Sequence, residues 1–235
     1  MDIYQIIAII LIIFVILLCI VLSSRTRIVR TYRKYMRLDN QANITGKQLA
    51  FFAKKQLGLT DLEFALTKEE LGDAYNYKYK TLILSEQVCQ TASLASLTIV
   101  AHELGHAMQH KENSVLFMTS VFTNKIARLT NIFILPLLIL GIFAKMFSYP
   151  TPTAGDMLIL AALVLFGLQI LNKILDIPLE YNASNRGLKL LKEYQCLSPN
   201  EHHKAKKLLK IAAQTYIASL LDNIIIIKRR KRKKR

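Results

Sequence analysis

Ile132-Phe133-Ile134-Leu135-Pro136-Leu137-Leu138-Ile139-Leu140-Gly141-Ile142-Phe143-Ala144-Lys145-Met146-Phe147, with its partner run Met157 to Leu171, is the stretch on which the architecture turns. The nine residues between the runs, Ser148-Tyr149-Pro150-Thr151-Pro152-Thr153-Ala154-Gly155-Asp156, include two prolines and read as a turn. Each run alone is slightly short for a hydrocarbon core of ~30 Å at 1.5 Å per residue. Leu129, Ile174 and Leu175 lengthen them, and Lys145 can snorkel to the near interface. The reading is a two-helix transmembrane hairpin; a re-entrant or interfacial hairpin is the alternative.

Upstream of the hairpin, Ser93 to Gln109 has the pattern of a helix and contains His102-Glu103-Leu104-Gly105-His106. Residues i and i+4 share a helix face, so His102 and His106 can each bring a nitrogen to about 2.0–2.1 Å from one zinc ion. Glu103 lies beside them, placed to accept a proton from the attacking water rather than to bind the metal. With five histidines in 235 residues, an H-E-x-x-H arises by chance only about 0.004 times. The flanks Thr98 to Ala101 and Ala107-Met108 are largely apolar. The polar groups are therefore partly buried and need partners, which a metal supplies.

A catalytic zinc takes three protein ligands and keeps one open position. His110 continues the ladder but lies eight residues from His102, ~12 Å along a straight helix, too far to share the ion. The remaining candidates are Glu112, Asp176, Glu180, Glu193, His202 and His203. Glu180 stands out by its setting downstream of the hairpin, in Pro178-Leu179-Glu180-Tyr181-Asn182-Ala183-Ser184-Asn185-Arg186. A helix over Pro178 to Tyr194, opened by the proline, puts Glu180 in its first turn. Ser184, four residues on, can hydrogen-bond a ligating histidine. Ala183 and Gly105 are small enough to let the two helices approach closely.

Further out, Gly46 to Gly58 reads as a short helix ended by glycine. Thr81 to Leu84 has strand character, with Tyr75, Tyr77 and Tyr79 alternating before it, and is a candidate edge strand for an extended peptide. For the developing oxyanion, Tyr181, Arg186, His202 and His203 are the nearby candidates, none singled out. Ile211 to Ile227 is apolar but broken by Gln214, Asp222 and Asn223, and reads as an interfacial helix rather than a span.

At the N-terminus Ile6 to Leu22 is uninterruptedly apolar and Ile3 extends it. Asp2 before the run and Arg25 soon after fit a retained anchor better than a cleaved signal. The chain carries a net charge of +16 with 52% hydrophobic residues, and its mean hydropathy is nevertheless positive. Apolar and basic residues are thus segregated, which excludes a disordered chain and argues against a plain soluble enzyme. Lys228 to Arg235 are all basic, and Arg25, Arg27, Arg30, Arg33, Lys34 and Arg37 follow the first run. A basic balance raises nucleic acid as a partner, but both clusters abut apolar segments, where anionic lipid headgroups are the nearer counter-charge. The same asymmetry sets the topology: N-terminus and hairpin turn outside, residues 23–130 and the C-terminal part in the cytoplasm. Cys19, Cys89 and Cys196 are odd in number and scattered, as in a reducing compartment.

H-E-L-G-H followed by E-Y-N-A-S-N-R resembles the YugP-like family of membrane-bound neutral zinc metallopeptidases and, more distantly, the HtpX-like membrane peptidases. Leu71 to Tyr75 and Leu82 to Ser85 resemble the stretch that leads into that family's metal helix, and the likeness covers most of residues 40–220. It implies one Zn2+ held by His102, His106 and Glu180, with Glu103 as general base. Two positions depart from the family pattern: Ala74 stands where His is usual, and Gly187 where Ala is usual.

The expected fold is therefore a mostly α membrane protein with a cytoplasmic gluzincin-like zinc peptidase domain containing a small β element. The parts are an anchor at 3–22, the first catalytic segment at 23–130, the hairpin at 131–175, the second catalytic segment at 176–227 and a polybasic tail at 228–235. The expected function is hydrolysis of peptide bonds in membrane or membrane-proximal proteins, at the plasma membrane of a prokaryote. The alternative is a zinc-stabilised membrane scaffold that binds a partner and cleaves nothing.

Overall fold

The structure, a computed structural model, describes residues 19, 23–24, 26–147 and 154–218, the last five as backbone alone. The anchor at 3–22 apart from Cys19, most of the 148–156 turn, residues 219–227 of the expected interfacial helix and the basic tail lie outside the described residues.

A helix over 26–36, α1, leads into α2 (Gly46–Gln56), β1 (Glu63–Thr67), β2 (Ala74–Asn76), β3 (Thr81–Ser85), α3 (Glu86–Gln90) and α4 (Leu94–Lys111). Then come α5 (Val115–Met146), α6 (Ala154–Glu193) and α7 (Pro199–Ala218). Local chemistry sets several of these ends. Thr45 and Gln48 form a reciprocal capping box at the start of α2. Beyond its end, Gly58 takes a left-handed φ of +58°, which glycine adopts without strain. Ser93 caps α4, its hydroxyl accepting from the Ser96 N–H at 3.0 Å.

α4 is the axle of the core. Leu94, Leu97, Val100, Ala101 and Leu104 are fully or almost fully buried along it. Leu49 and Ala53 of α2, Leu82 and Leu84 of β3, Leu190 and Leu191 of α6, and Leu208 of α7 pack around them. Segments from both sides of the hairpin thus share one core, which neither could close alone.

The sheet has the order β1-β3-β2, with β1 parallel and β2 antiparallel to β3. This corrects the expectation that Thr81 to Leu84 is a free edge: β3 is paired on both sides, and β2 is the edge next to α4. Alternate burial of Leu82 and Leu84 makes β3 the strand with most apolar surface to hide, and hence the central one.

α5 and α6 are long and apolar enough to cross a bilayer. Ile132, Phe133, Ile139, Leu140, Phe143, Leu160 and Leu163 along them are 55% or more exposed. An apolar surface of that extent is unfavourable in water and fits lipid. Both helices overrun the expected hairpin: α5 begins at Val115, and α6 continues from the turn to Glu193. The expected separate helix at Pro178 is therefore corrected to the second half of α6. Pro178 removes one backbone hydrogen bond inside it. Packing on both sides holds the helix through that point, since Asp176 is fully buried against α5 and Leu179 is nearly so.

Where α5 and α6 meet, the seam is polar. Asp176 accepts from Ser120 Oγ at 2.5 Å and from Asn124 Nδ2 at 3.0 Å, and Asn172 Nδ2 donates to Asn124 Oδ1 at 2.9 Å. Gln169 Nε2 donates to Thr130 Oγ1 at 2.9 Å. Buried polar groups that satisfy one another fix register more tightly than apolar contact does. This register sets where Glu180, one turn beyond Asp176, faces. At the far end of the hairpin Lys145 and Asp156 pair. The expected interfacial segment also differs at its start: Ile211 and Ala213 are buried in the last turns of α7.

Candidate metal centre

His102, Glu103 and His106 come from α4, and Glu180 and Ser184 from α6. The two helices cross with almost no side chain between them. A Cβ on Gly105 would fall on the Ala183 carbonyl oxygen, and one on Gly187 would lie 2.5 Å from the Ala101 carbonyl oxygen. Gly187 is therefore not a weak point of the helix but a condition of the contact. Close approach brings the Glu180 carboxylate to 3.3 Å from His102 Nε2 and 3.6 Å from His106 Nε2. Tetrahedral ligands at about 2.0–2.1 Å from zinc stand roughly 3.3–3.4 Å apart, so one atom from each of these residues fits a single small divalent ion. Among the described residues they form the one group of three or more His, Cys, Asp or Glu able to do so.

The hydrogen bonds behind the ligands agree. Gln109 is fully buried, and its Nε2 donates to the Leu179 carbonyl at 3.0 Å and to Asn182 Oδ1 at 2.9 Å. A carbonyl only accepts, so the amide NH2 must face it, which turns Gln109 Oε1 towards His106 Nδ1 at 3.0 Å. His106 Nδ1 must then carry the proton, and Nε2 presents its lone pair to the site. Ser184 Oγ lies 3.1 Å from His102 Nδ1, so the second ring is also tied through Nδ1 while its Nε2 faces Glu180.

Electrostatics point in one direction. Burial alone would lower His106, but the adjacent Glu180 carboxylate overcomes it and holds the imidazole up at about 9. Burial would raise Glu180, yet the two histidines keep it below the usual carboxylate range. A cation entering here must displace the His106 proton. Apparent zinc affinity should therefore rise about tenfold per pH unit between roughly pH 6.5 and 8.5, because proton competition weakens as pH climbs towards the raised pKa. Titration against a chromophoric chelator reads this directly, and a flat profile would contradict it.

Glu103 stands apart from the donor triad. It is 9% exposed, and its Oε2 accepts from the Tyr75 N–H of β2 at 2.8 Å. Burial pushes its pKa up, tempered by the two histidines. Glu103, His102, His106 and Glu180 all line one cavity of about 560 Å3, floored towards α5 by Ser120 and Asn124.

The other residues named as possible ligands are committed elsewhere. Glu112 pairs with Arg186 at 2.7 Å, Asp176 belongs to the α5–α6 seam, and Glu193 faces Lys189 at 3.6 Å. His202 Nε2 is 3.2 Å from the Leu188 carbonyl, and His203 is exposed. His110 Nδ1 meets the Tyr75 hydroxyl at 2.7 Å, and its ring stacks on Phe117. None of Tyr181, Arg186, His202 and His203 lines the cavity; Tyr75, Asp73 and Tyr32 do. Sequence reasoning passed over these three. The alternation of tyrosines around Tyr75 was the available signal, but nothing in it pointed to the cavity. Ala74 also lines the cavity.

Fold and site together define a helical protein with two bilayer-length helices and a His-His-Glu group able to hold a metal ion, set beside a second buried glutamate. The chain belongs to the family described as "putative neutral zinc metallopeptidase", which it matches over residues 8–230. It is 27% identical, over 204 residues, to the protein named "Putative membrane protease YugP" of Bacillus subtilis (strain 168), a match covering 86% of this chain and 85% of that one. No solved structure matches it.

Proposed function

We propose that the protein is a multi-pass, membrane-anchored zinc endopeptidase whose gluzincin-like site lies on the cytoplasmic side of the plasma membrane. One Zn2+ is held by His102, His106 and Glu180. When bound, it supplies a Lewis acid that polarises the scissile carbonyl and draws the pKa of a water towards ~7. Glu103 takes the proton of the attacking water and passes it to the leaving amine. The Tyr75 N–H holds one of its oxygens and so fixes the direction of the other. Gln109 and Ser184 orient the two imidazoles. An extended substrate lies along β2, the sheet edge beside the cavity. The observation that carries the reading is the position of Glu103: buried in the same cavity as the triad, yet outside the set of atoms that can reach one ion. A purely structural metal site has no use for that carboxylate.

The substrates are membrane proteins or membrane-proximal peptides. Glu180 sits nine residues beyond Leu171 on a continuous helix, only ~13 Å past the apolar run. The polybasic tail binds anionic headgroups. The test is cleavage by the full-length protein in proteoliposomes of a reporter whose cleavable segment is anchored in the same bilayer. Hydrolysis should stop with a zinc chelator, return with zinc and fall at least tenfold when the segment is offered untethered. Absence of cleavage in the zinc-loaded protein would favour the scaffold reading, and equal cleavage of the untethered segment would remove the membrane-substrate assignment.

A further inference from the structure

The end of the cavity above β2 carries polar groups that the hydrolytic step does not use. Tyr32 of α1 is 1% exposed and lines the cavity, and its hydroxyl, with Ser85 as a polar neighbour, makes no well-formed hydrogen bond among the described residues. A buried hydroxyl offers one donor and two acceptor positions, and folded chains rarely leave all three empty. Beside it, the Asp73 carboxylate also lines the cavity. Asp73 accepts one hydrogen bond on each oxygen, from the Ser85 N–H at 2.6 Å and from Ser85 Oγ at 3.3 Å. That uses about half of its acceptor sites. No Lys or Arg is among the residues lining the cavity, and Asp73 has no ion-pair partner among the described residues. Burial pushes its carboxyl pKa up, and burial, helped by the nearby Asp73 charge, raises the Tyr32 phenol to about 12. Both groups are therefore poised for a positive neighbour that the described chain does not provide.

Their position relates them to the reacting centre. Asp73 immediately precedes β2, two residues before Tyr75, and both line the cavity. The Tyr75 backbone N–H holds Glu103. At about 3.3 Å per residue, Asp73 is ~7 Å along the chain from that contact. A peptide cleaved over Glu103 and running along β2 passes Asp73 within one or two residues of the cleaved bond.

We propose that Asp73 and the Tyr32 hydroxyl form a subsite for a cationic nitrogen of the substrate: the side chain of a lysine or arginine, or a free N-terminal ammonium, close to the scissile bond. The inference rests on the peptidase reading for its substrate and deepens it by naming the substrate's charge. Asp73 accepts from the cationic N–H groups, and Tyr32 gives them a second acceptor. Among the described residues that line the cavity, His102 and His106 are the only other basic side chains, and both belong to the metal site.

The test measures binding separately from turnover. Full-length protein in detergent micelles, zinc-loaded and carrying Glu103→Gln to prevent hydrolysis, is titrated with dye-labelled peptides read by fluorescence anisotropy. The peptides are N-acetylated and identical except for one residue, lysine, methionine or glutamate; a fourth carries methionine and a free N-terminus. The lysine peptide should bind at least tenfold more tightly than the methionine peptide, and the glutamate peptide more weakly than either. Adding Asp73→Asn should bring the lysine-to-methionine ratio to within about twofold of one, and Tyr32→Phe should reduce it about threefold. Ser85→Ala, which removes the Asp73–Ser85 side-chain tie and keeps the carboxylate, should leave the ratio in place. If only the free-amine methionine peptide gains, the ligand is an N-terminus; if only the lysine peptide gains, it is a side chain; if both gain, the subsite takes either nitrogen.

Equal binding of the lysine, methionine and free-amine methionine peptides in the Glu103→Gln protein would overturn the subsite without recourse to any further variant. So would a preference that survives Asp73→Asn, or one that Ser85→Ala abolishes equally. The peptidase reading is scored on the wild type: cation-selective binding without cleavage would fail that reading alone, and cleavage with no preference for either cationic peptide would fail the subsite alone.

Discussion

Gly105→Ala should cost the protein most of its metal affinity. The added methyl meets the backbone carbonyl of Ala183, and a backbone atom cannot rotate away as a side chain can. α6 must therefore retreat from α4, and the 3.3 Å and 3.6 Å separations between Glu180 and the histidines must open. Loss of one ligand contact should weaken zinc binding by at least tenfold. Overpacking of this kind destabilises by about 1–3 kcal/mol, more than the helix propensity gained on replacing glycine with alanine, up to about 1 kcal/mol. Gly167→Ala is the control: nothing lies within 4 Å of its Cβ position, so propensity acts alone and stability should hold or rise slightly. Thermal unfolding and zinc titration of both variants check the expectation. Unchanged zinc affinity in Gly105→Ala would mean that the closeness of α4 and α6 does not set the site.

Glu103→Gln should reduce hydrolysis of the membrane-anchored reporter by about 10²–10⁴-fold, the usual effect of removing a positioned general base. Zinc should stay bound at wild-type stoichiometry. Glutamine keeps an oxygen to accept from the Tyr75 N–H, so β2 and α4 remain joined and only the proton acceptor is lost. The separation of the two effects is the point of the experiment. Residual activity within tenfold of wild type would remove Glu103 as base, and simultaneous loss of zinc would make it a structural residue of the site.

How much of this could be read from the residues depends on how local each signal is. The spacing of His102 and His106 on an apolar-flanked helix is local, and the expected helix over Ser93 to Gln109 is found as Leu94–Lys111. The smallness of Gly105 and Ala183 announced a close helix contact, because no other feature of those positions would ask for it. The choice among Glu112, Asp176, Glu180 and Glu193 was not local. Each is a carboxylate at a reasonable distance in the chain, and only the partners Arg186, Asn124 and Lys189 show which of them are already taken.

Pro178 misled in an instructive way. A proline at that position usually opens a helix, but here a polar seam on one side and the α4 contact on the other carry α6 through it. The edge strand beside the cavity was missed because Ala74–Asn76 is three residues long, too short for any periodicity to register. The more apolar Thr81–Ser85 drew the assignment instead, although apolar faces belong to the strand buried in the middle of a sheet. Asp73 and Tyr32 were silent for the same reason: their shared cavity joins α1 to a strand some forty residues away.

The central claim is that His102, His106 and Glu180 hold one ion while Glu103 stays free beside it. Metal content by mass spectrometry on the purified, detergent-solubilised protein tests it most directly. The account predicts close to one zinc per chain in the wild type and in Glu103→Ala, and loss of zinc in Glu180→Ala with the protein still folded. A folded wild type without stoichiometric zinc, or a Glu180→Ala protein that keeps it, would contradict the account.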